Sequence, residues 1–451
     1  MLSVTSVLQQ QTRPRQHVCI TRGAVVLEMG ELLKKTLRSI LAEEGIDPDS
    51  PYELQDNDLG LWMTSVCKVP VHVDYGCDKK LFLFFKCLSE NPDLRETLDT
   101  EIFFKNEVAF YNEVLSSFLR FQEKRNVKTP FRALPKCYKA QSDGERDVIV
   151  LEDLKAKGFV MLDRLRVMNI SELQILMKEL GRFHALSLAM KDQEPASFEN
   201  IRNALKETVF CKRFLKKFGQ LYEFVINDAL KMVKHNFPDD SKYLTKLKQG
   251  GENICDKMME LVRPKEEDEP YNVITHGDLW VSNFMFRYSD LKEESSCCGA
   301  PDEMKILDFQ VSRYASPALD VSYVLLSSAD RVTREVHQRS FLHTYHESLS
   351  DSLIQLGSDP KELFPFSKLE EQLRKYSRFG LWLTLFNLPH TLDEGESIEV
   401  HKLESSDEIL QEDADSQVNT AINAVYSRKS EQCQERILDA IKYVVDNGYL
   451  D

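Results

Sequence analysis

Three residues could do chemistry together: Asp278, Asn283 and Asp308. They stand in two short runs, I-T-H-G-D-L-W-V-S-N-F-M-F from Ile274 and M-K-I-L-D-F-Q ending at Gln310. Each run borders an apolar, strand-like stretch, so a hairpin over 274–310 would bring all three side chains to one rim. Two carboxylates and a carboxamide are hard oxygen donors. That set suits Mg²⁺, which keeps several waters for phosphate. Asp and Asn are also common turn residues. The reading therefore rests on both runs occurring together, in order and in a strand-edge context.

The elements that must position this rim lie earlier in the chain. Leu61 to Val73 is β-rich, Tyr75-Gly76-Cys77-Asp78 is a turn, and Leu81 to Lys86 is a second strand, which together read as a hairpin. Lys86, at the end of that apolar strand, would aim its ammonium into a cleft. The alternative is an edge lysine that blunts aggregation. The next helix, Glu101 to Phe118, carries Phe103, Phe104, Phe110, Tyr111, Val114, Leu115 and Phe118 on its apolar side. Glu107 lies one turn before Phe110 and Tyr111, where an inward carboxylate would pair with Lys86; Glu113 is the rival partner. Upstream, Glu31 to Glu44 repeats Leu32, Leu33, Leu37, Ile40 and Leu41 at helical spacing.

Composition sets the outer bounds. The 451 residues are 42% apolar, enough for one large two-lobed domain or two to three ordinary ones. Lys plus Arg number 58 against 73 Asp plus Glu, for a net charge of −15. That balance argues against nucleic acid or an anionic membrane surface as the main partner, since both reward positive charge. Ten cysteines show no C-x-x-C and no zinc spacing, Cys297 and Cys298 being adjacent in a polar insert. Reduced thiols in the cytoplasm are the simplest account. No apolar run approaches a membrane span. Residues 1–28 are expected to be a flexible tail; three arginines and no acid in 1–27 give a transit-peptide-like composition, and translation starting at Met29 would remove it.

The remainder reads as helical after one more β region. Asp147 to Leu151 is a strand, and Glu152-Asp153-Leu154 leaves it at a crossing point between a sheet-rich and a helical lobe. A helix opens at Ser171-Glu172 and holds His184, read as a packed core residue. Residues 205–263 suggest two helices broken near Asn236-Phe237-Pro238. Pro317 and Asp320 suit the first turn of an apolar helix. Further helices are expected over Arg334 to Leu353, Lys368 to Leu388 and Glu435 to Asp446, with 393–417 an acidic mobile loop.

The order H-x-D-x-x-x-x-N followed by D-F-x resembles that of the catalytic and metal loops of kinases. A protein kinase would follow it with a long activation segment, but only a handful of residues separate Gln310 from the apolar helix at Pro317. The expected acceptor is therefore a small molecule. With H-G-D-L-W-V-S-N, I-L-D-F-Q, L-E-D-L-K-A-K-G-F and a terminal D-N-G-Y-L, the chain resembles the ecdysteroid kinase-like family, of the choline and aminoglycoside kinase fold, from about Leu32 to Leu450. The resemblance implies an α+β, bilobal protein-kinase-like fold: a small β-rich N-lobe (29–151) and a larger helical C-lobe (152–451) with the catalytic and metal loops at 274–310. It implies an ATP- and Mg²⁺-dependent small-molecule kinase that phosphorylates a hydroxyl on an apolar acceptor, such as an ecdysteroid or a xenobiotic.

By the same likeness Asp278 is catalytic, Asn283 and Asp308 hold Mg²⁺, Lys86 and Glu107 anchor phosphate, Glu152 to Leu154 form the hinge, and His276 and Asp320 support the loop. The phosphate-covering loop falls at Asn57 to Ser65 and holds one glycine, Gly60, so Thr64 and Ser65 would have to donate in place of bare backbone. That departure keeps a nucleotide- or ligand-binding pseudokinase as one alternative. A choline- or amine-directed kinase is a second, and a non-enzymatic helical interaction protein a third.

Overall fold

The computed structural model describes residues 30–55, 66–76, 79–88, 95–96, 98–144, 147–289, 299–392 and 429–451. The tail 1–28, the loop containing Ser65, the Cys297–Cys298 pair, the acidic stretch 393–417 and the Leu32 side chain lie outside them. The architecture is α+β, a small sheet-rich lobe beside a larger helical one.

In the small lobe, helix α1 (Glu31–Glu43) buries Leu33, Leu37, Ile40 and Leu41. They pack on one face of an antiparallel sheet in which β1 (Tyr52–Leu54), β2 (Val66–Asp74), β3 (Lys80–Leu88), β5 (Val148–Glu152) and β4 (Cys137–Gln141) lie side by side in that order. Side chains alternate between faces along a strand. Leu83, Phe85 and Cys87 therefore join the α1 core, and Lys86 points to the opposite face.

Against that opposite face runs a helix the sequence suggests is uniform over Glu101 to Phe118, and it is not. It is α-helical over Thr100–Ala109 (α2), winds as a π turn over Phe110–Leu115, and resumes as α3 (Ser116–Lys124). The wider turn re-aims the apolar residues that follow it, and Phe110, Tyr111, Val114 and Leu115 are all buried.

The large lobe centres on α4 (Ile170–Gln193). It starts earlier than Ser171, because Asn169 accepts the Glu172 amide while Glu172 reaches back to Asn169, a reciprocal cap. After α5 (Pro195–Ala204) come three helices where two are expected, α6 (Lys212–Asn236), α7 (Lys242–Gly251) and α8 (Ile254–Val262). The extra break follows Gly250-Gly251, with Asn253 in the left-handed region at φ 52°. The strands β7 (Val273–Thr275) and β10 (Arg313–Ala315) pair with each other; β6 (Val160–Met161), β8 (Phe284–Arg287) and β9 (Glu303–Ile306) form a three-stranded sheet. The chain closes with α9 (Ala318–Ser328), α10 (Arg331–Leu356), α11 (Pro360–Leu363), α12 (Phe366–Thr391) and α13 (Glu431–Asp446). Gly181 lets α10 lie directly on α4: a Cβ there would sit 2.3 Å from the Tyr345 carbonyl oxygen. Among the described residues no helix is long and apolar enough to cross a membrane.

Candidate active site

The hairpin expected over 274–310 forms as β8 and β9, with Phe284 opposite Ile306. Just ahead of it, β7 delivers His276, Gly277 and Asp278 to the cleft. Gly277 has φ 87°, and a Cβ on it would come within 2.6 Å of the Val311 carbonyl oxygen. Only glycine makes this turn without displacing backbone.

The turn hangs on Asp320, in the first turn of α9. Its two oxygens accept the backbone N–H of His276 (2.7 Å) and of Gly277 (2.9 Å). His184 Nε2 stands 3.2 Å from the same carboxylate, and His184 Nδ1 stands 2.8 Å from the Tyr345 hydroxyl. Burial acts to raise the Asp320 pKa, but the His184 hydrogen bond, the charges of His184 and His276 and the Gly277 amide outweigh it and hold it below the ordinary value. His276 bonds through Nε2 to the Leu307 carbonyl (2.8 Å) and accepts the Asp278 amide on Nδ1 (3.1 Å). It thus ties the two halves of the rim together. Burial holds its imidazole below the usual pKa, against the opposing charge of Asp320.

Asn283 sits in a short 3-10 turn (Val281–Asn283) and donates Nδ2 to the Asp278 carbonyl (2.8 Å) and to Asp278 Oδ2 (3.3 Å). Its amide oxygen is therefore turned away from Asp278. Burial, then the nearby Asp308 charge, push the Asp278 carboxyl up to about 7, while the Asn283 hydrogen bond works the other way.

Asp308 adopts φ 67°, a left-handed conformation rare for a residue with a Cβ. Such strain persists only where the surroundings impose it, and it clusters at functional sites. Here Asp308 Oδ1 accepts from Lys86 Nζ at 2.9 Å, and Oδ2 lies 3.4 Å from Gln310 Nε2. Lys86 also donates to Glu107, the more buried of the two acids. Burial acts to lower the Lys86 pKa, but the charges of Asp308 and Glu107 and their hydrogen bonds more than offset it, so the ammonium stays charged. The rival Glu113 is on the exposed side of the π turn. Asn106, next to Glu107, donates to the Gln310 (3.1 Å) and Ser312 (2.9 Å) carbonyls and so docks α2 onto the segment after Asp308.

Of the expected hinge residues, Glu152 ends β5 and its carboxylate is taken by the Lys136 amide (3.0 Å) and by Lys157. Leu154 is buried with Phe159 and Met285, and Met161 and Leu307 pack against them, an apolar floor next in sequence to Asp308. Sequence reasoning missed how His184 and Tyr345 bear on the loop, having filed His184 as core. It is buried, but its partners lie 136 and 161 residues away, so no local pattern marks it. The Lys86–Asp308 contact was missed in the same way.

Phosphate-binding magnesium would need hard oxygen donors. The Asp308 carboxylate and the Asn283 amide oxygen are donors of that kind. Among the described residues no group of three His, Cys, Asp or Glu side chains is arranged to hold a metal.

Residues 60–358 match the model of the ecdysteroid kinase-like family. No curated protein matches the chain in sequence. Similar solved structures include an ethanolamine kinase from Plasmodium vivax (13% identity, 89% of this chain and 91% of that one, TM-score 0.40). A choline kinase from Cryptosporidium parvum is another (10% identity, 93% of this chain and 97% of that one, TM-score 0.44).

Proposed function

We propose, from the premise that this chain belongs to the ecdysteroid kinase-like family and is a small-molecule phosphotransferase acting on hydroxyl groups, that it transfers the γ-phosphoryl group of ATP to a hydroxyl on an apolar acceptor, of which an ecdysteroid is one example. The observation that carries this reading is Lys86: one buried ammonium held at once by Glu107 and by an Asp308 that is 222 residues distant and conformationally strained.

The residues divide the work as follows. Lys86, oriented by Glu107, meets the α- and β-phosphates. Asn283 and Asp308 supply the oxygens for Mg²⁺, which when bound neutralises charge on the phosphates. Asp278 aims the acceptor hydroxyl in line and takes its proton late, since phosphoryl transfer has a loose transition state. Its raised pKa is no obstacle to that late role. Glu152 to Leu154 form the hinge, with the Leu154–Met285 floor under the adenine, and Ser65 donates from the phosphate-covering loop. We place the lobe boundary between 151 and 152 and the protein in the cytoplasm.

An apolar acceptor follows from the family likeness. Tyr222 and Tyr323 are buried rings of the helical lobe, and Tyr222 stacks on Phe386 at 4.9 Å. A choline- or amine-directed kinase would want an unpaired acid among such rings, whereas Glu207 beside them is bound to Arg313. The glycine-poor loop at 57–65 favours the pseudokinase as the second reading.

One assay separates the two. The protein is incubated with ATP, Mg²⁺ and a panel of ecdysteroids and phenolic glucosides, and phosphate esters are sought by mass. The kinase reading expects an ester that disappears in Asp278→Asn. Full turnover in that variant would remove the assigned role, and ATP binding without any product would favour the pseudokinase.

A further inference from the structure

The helix that carries Glu107 begins in an uncommon way. Asp99 stands at the N-cap of α2, where an Asp ordinarily accepts one of the helix's first amide hydrogens, yet its side chain makes no such bond. It adopts φ 52°, in the left-handed region, and is only 3% exposed. Its carboxylate is taken instead by α6 of the helical lobe. Arg213 donates to Oδ1 at 2.8 Å, and Lys217 lies 3.5 Å from the same oxygen while also donating to the Glu96 carbonyl. A residue stays in a costly backbone conformation only where its surroundings impose it. Here two cations from a different lobe do so.

The same stretch of chain meets α2 twice more. The Lys206 amide donates to Asn106 Oδ1 at 2.8 Å, and Phe214 sets its ring edge-on to Phe103 at 5.7 Å. It also holds the chain that follows Asp308. Glu207 accepts from Arg313 Nε and Nη2, and its Oε1 is fixed by the Val209 and Phe210 amides. Residues 206–217 therefore bear on both acids that flank Lys86: on Glu107 through Asn106 and Asp99, and on Asp308 through Arg313. In protein kinases a phosphorylated activation segment sets the corresponding Lys–Glu pair. The run from Gln310 to Pro317 is too short for that.

We propose that residues 206–217 are a brace that sets Glu107 against Asp308 around Lys86, with Arg213 and Lys217 as positioning residues that act through Asp99 and α2. The consequence for nucleotide binding rests on the kinase reading; the hold on α2 does not. With the brace in place, α2 keeps Glu107 inward before any ligand arrives. With it broken, α2 is free to turn Glu107 away, and apparent nucleotide affinity falls with the fraction of molecules still facing inward.

The test compares the full-length parent with Arg213→Glu/Lys217→Glu, whose side chains are 62% and 28% exposed. The control, Lys212→Glu/Lys216→Glu, makes the same change of charge at two exposed lysines of the same helix. Backbone hydrogen exchange over 100–109 should be roughly 3- to 10-fold faster in the brace variant and unchanged in the control. ATP with Mg²⁺ should bind roughly 3- to 10-fold more weakly to the brace variant and equally to the control. Arg213→Lys, which keeps the charge, should behave as the parent. Exchange over α10, which packs on α4, should not change, whereas a general loss of stability would speed it too. Equal acceleration over α10, unchanged exchange over 100–109, or faster exchange there with undiminished nucleotide affinity would each overturn the proposal. A parent that binds no nucleotide would remove the kinase reading instead, and exchange would still decide the brace.

Discussion

The loop that carries Asp278 and the π turn sit on either side of the Lys86–Glu107–Asp308 contact, and they are built on opposite plans. The loop is over-determined. Two of its backbone amides end on one carboxylate, Asp320, which is met by His184, which is met in turn by Tyr345. The π turn packs well but leaves the buried Tyr111 hydroxyl without a hydrogen-bond partner among the described residues. The difference teaches where rigidity is needed. With Asp278 in its proposed role, the loop that carries it tolerates little slack, whereas the π turn that follows Glu107 is held by apolar packing.

Each prediction tests that contrast. The largest effect is on turnover. Asp278→Asn should lower kcat by about 10³-fold, in the range for removal of a positioned base, as read by steady-state product formation. A loss under tenfold would mean the loop is not the catalytic one. Next, Asp320→Ala strips partners from two amides and from His184 and should cost about 3–5 kcal/mol in denaturant unfolding. A cost below 1 kcal/mol would show that the loop is less tightly held than its hydrogen bonds indicate.

A smaller effect has the opposite sign. The Asp278 carboxyl is raised from 3.8 to about 7 in the folded chain. Between those values the native state holds the proton more tightly than the unfolded chain, so this group's contribution to stability declines as pH rises through that window. Asp278 keeps some surface open to the cleft, so screening reduces the effect to about 1–2 kcal/mol. Asp278→Asn should therefore be more stable than the parent at pH 7.5 in EDTA, with the gain gone at pH 4. Equal melting temperatures at both pH values would contradict this. The smallest effects belong to the π turn. Tyr111→Phe removes a buried hydroxyl that has no hydrogen-bond partner among the described residues, so it should leave stability unchanged or raise it by about 1 kcal/mol, and Glu113→Ala alters an exposed side chain and should shift it by less than about 0.5 kcal/mol. A drop of 2 kcal/mol in either would mean the turn is as tightly tied as the loop.

Much of this was legible in the sequence because it is local. Strand alternation put Lys86 on the face opposite Phe85, and D-x-x-x-x-N placed Asp278 and Asn283 within one turn. Helix boundaries slipped where a cap lay a residue or two earlier, as at Asn169. The π turn stayed hidden because Phe110, Tyr111, Val114 and Leu115, on either side of the polar Asn112 and Glu113, satisfy α and π spacing alike. Long-range partnerships stayed hidden for a different reason: His184 with Asp320, and Lys86 with Asp308, join segments that only the assembled fold brings together.

The most direct test of the central claim is the thermal stability of the full chain with saturating ATP, with and without Mg²⁺, in the parent, Lys86→Met and Asp308→Asn. At a hundredfold excess over Kd, bound nucleotide stabilises by about 2.7 kcal/mol. That gain is expected in the parent only when Mg²⁺ is present, and it should be absent from both variants. Equal stabilisation without the metal, or undiminished stabilisation in Asp308→Asn, would contradict a phosphate site built from these side chains.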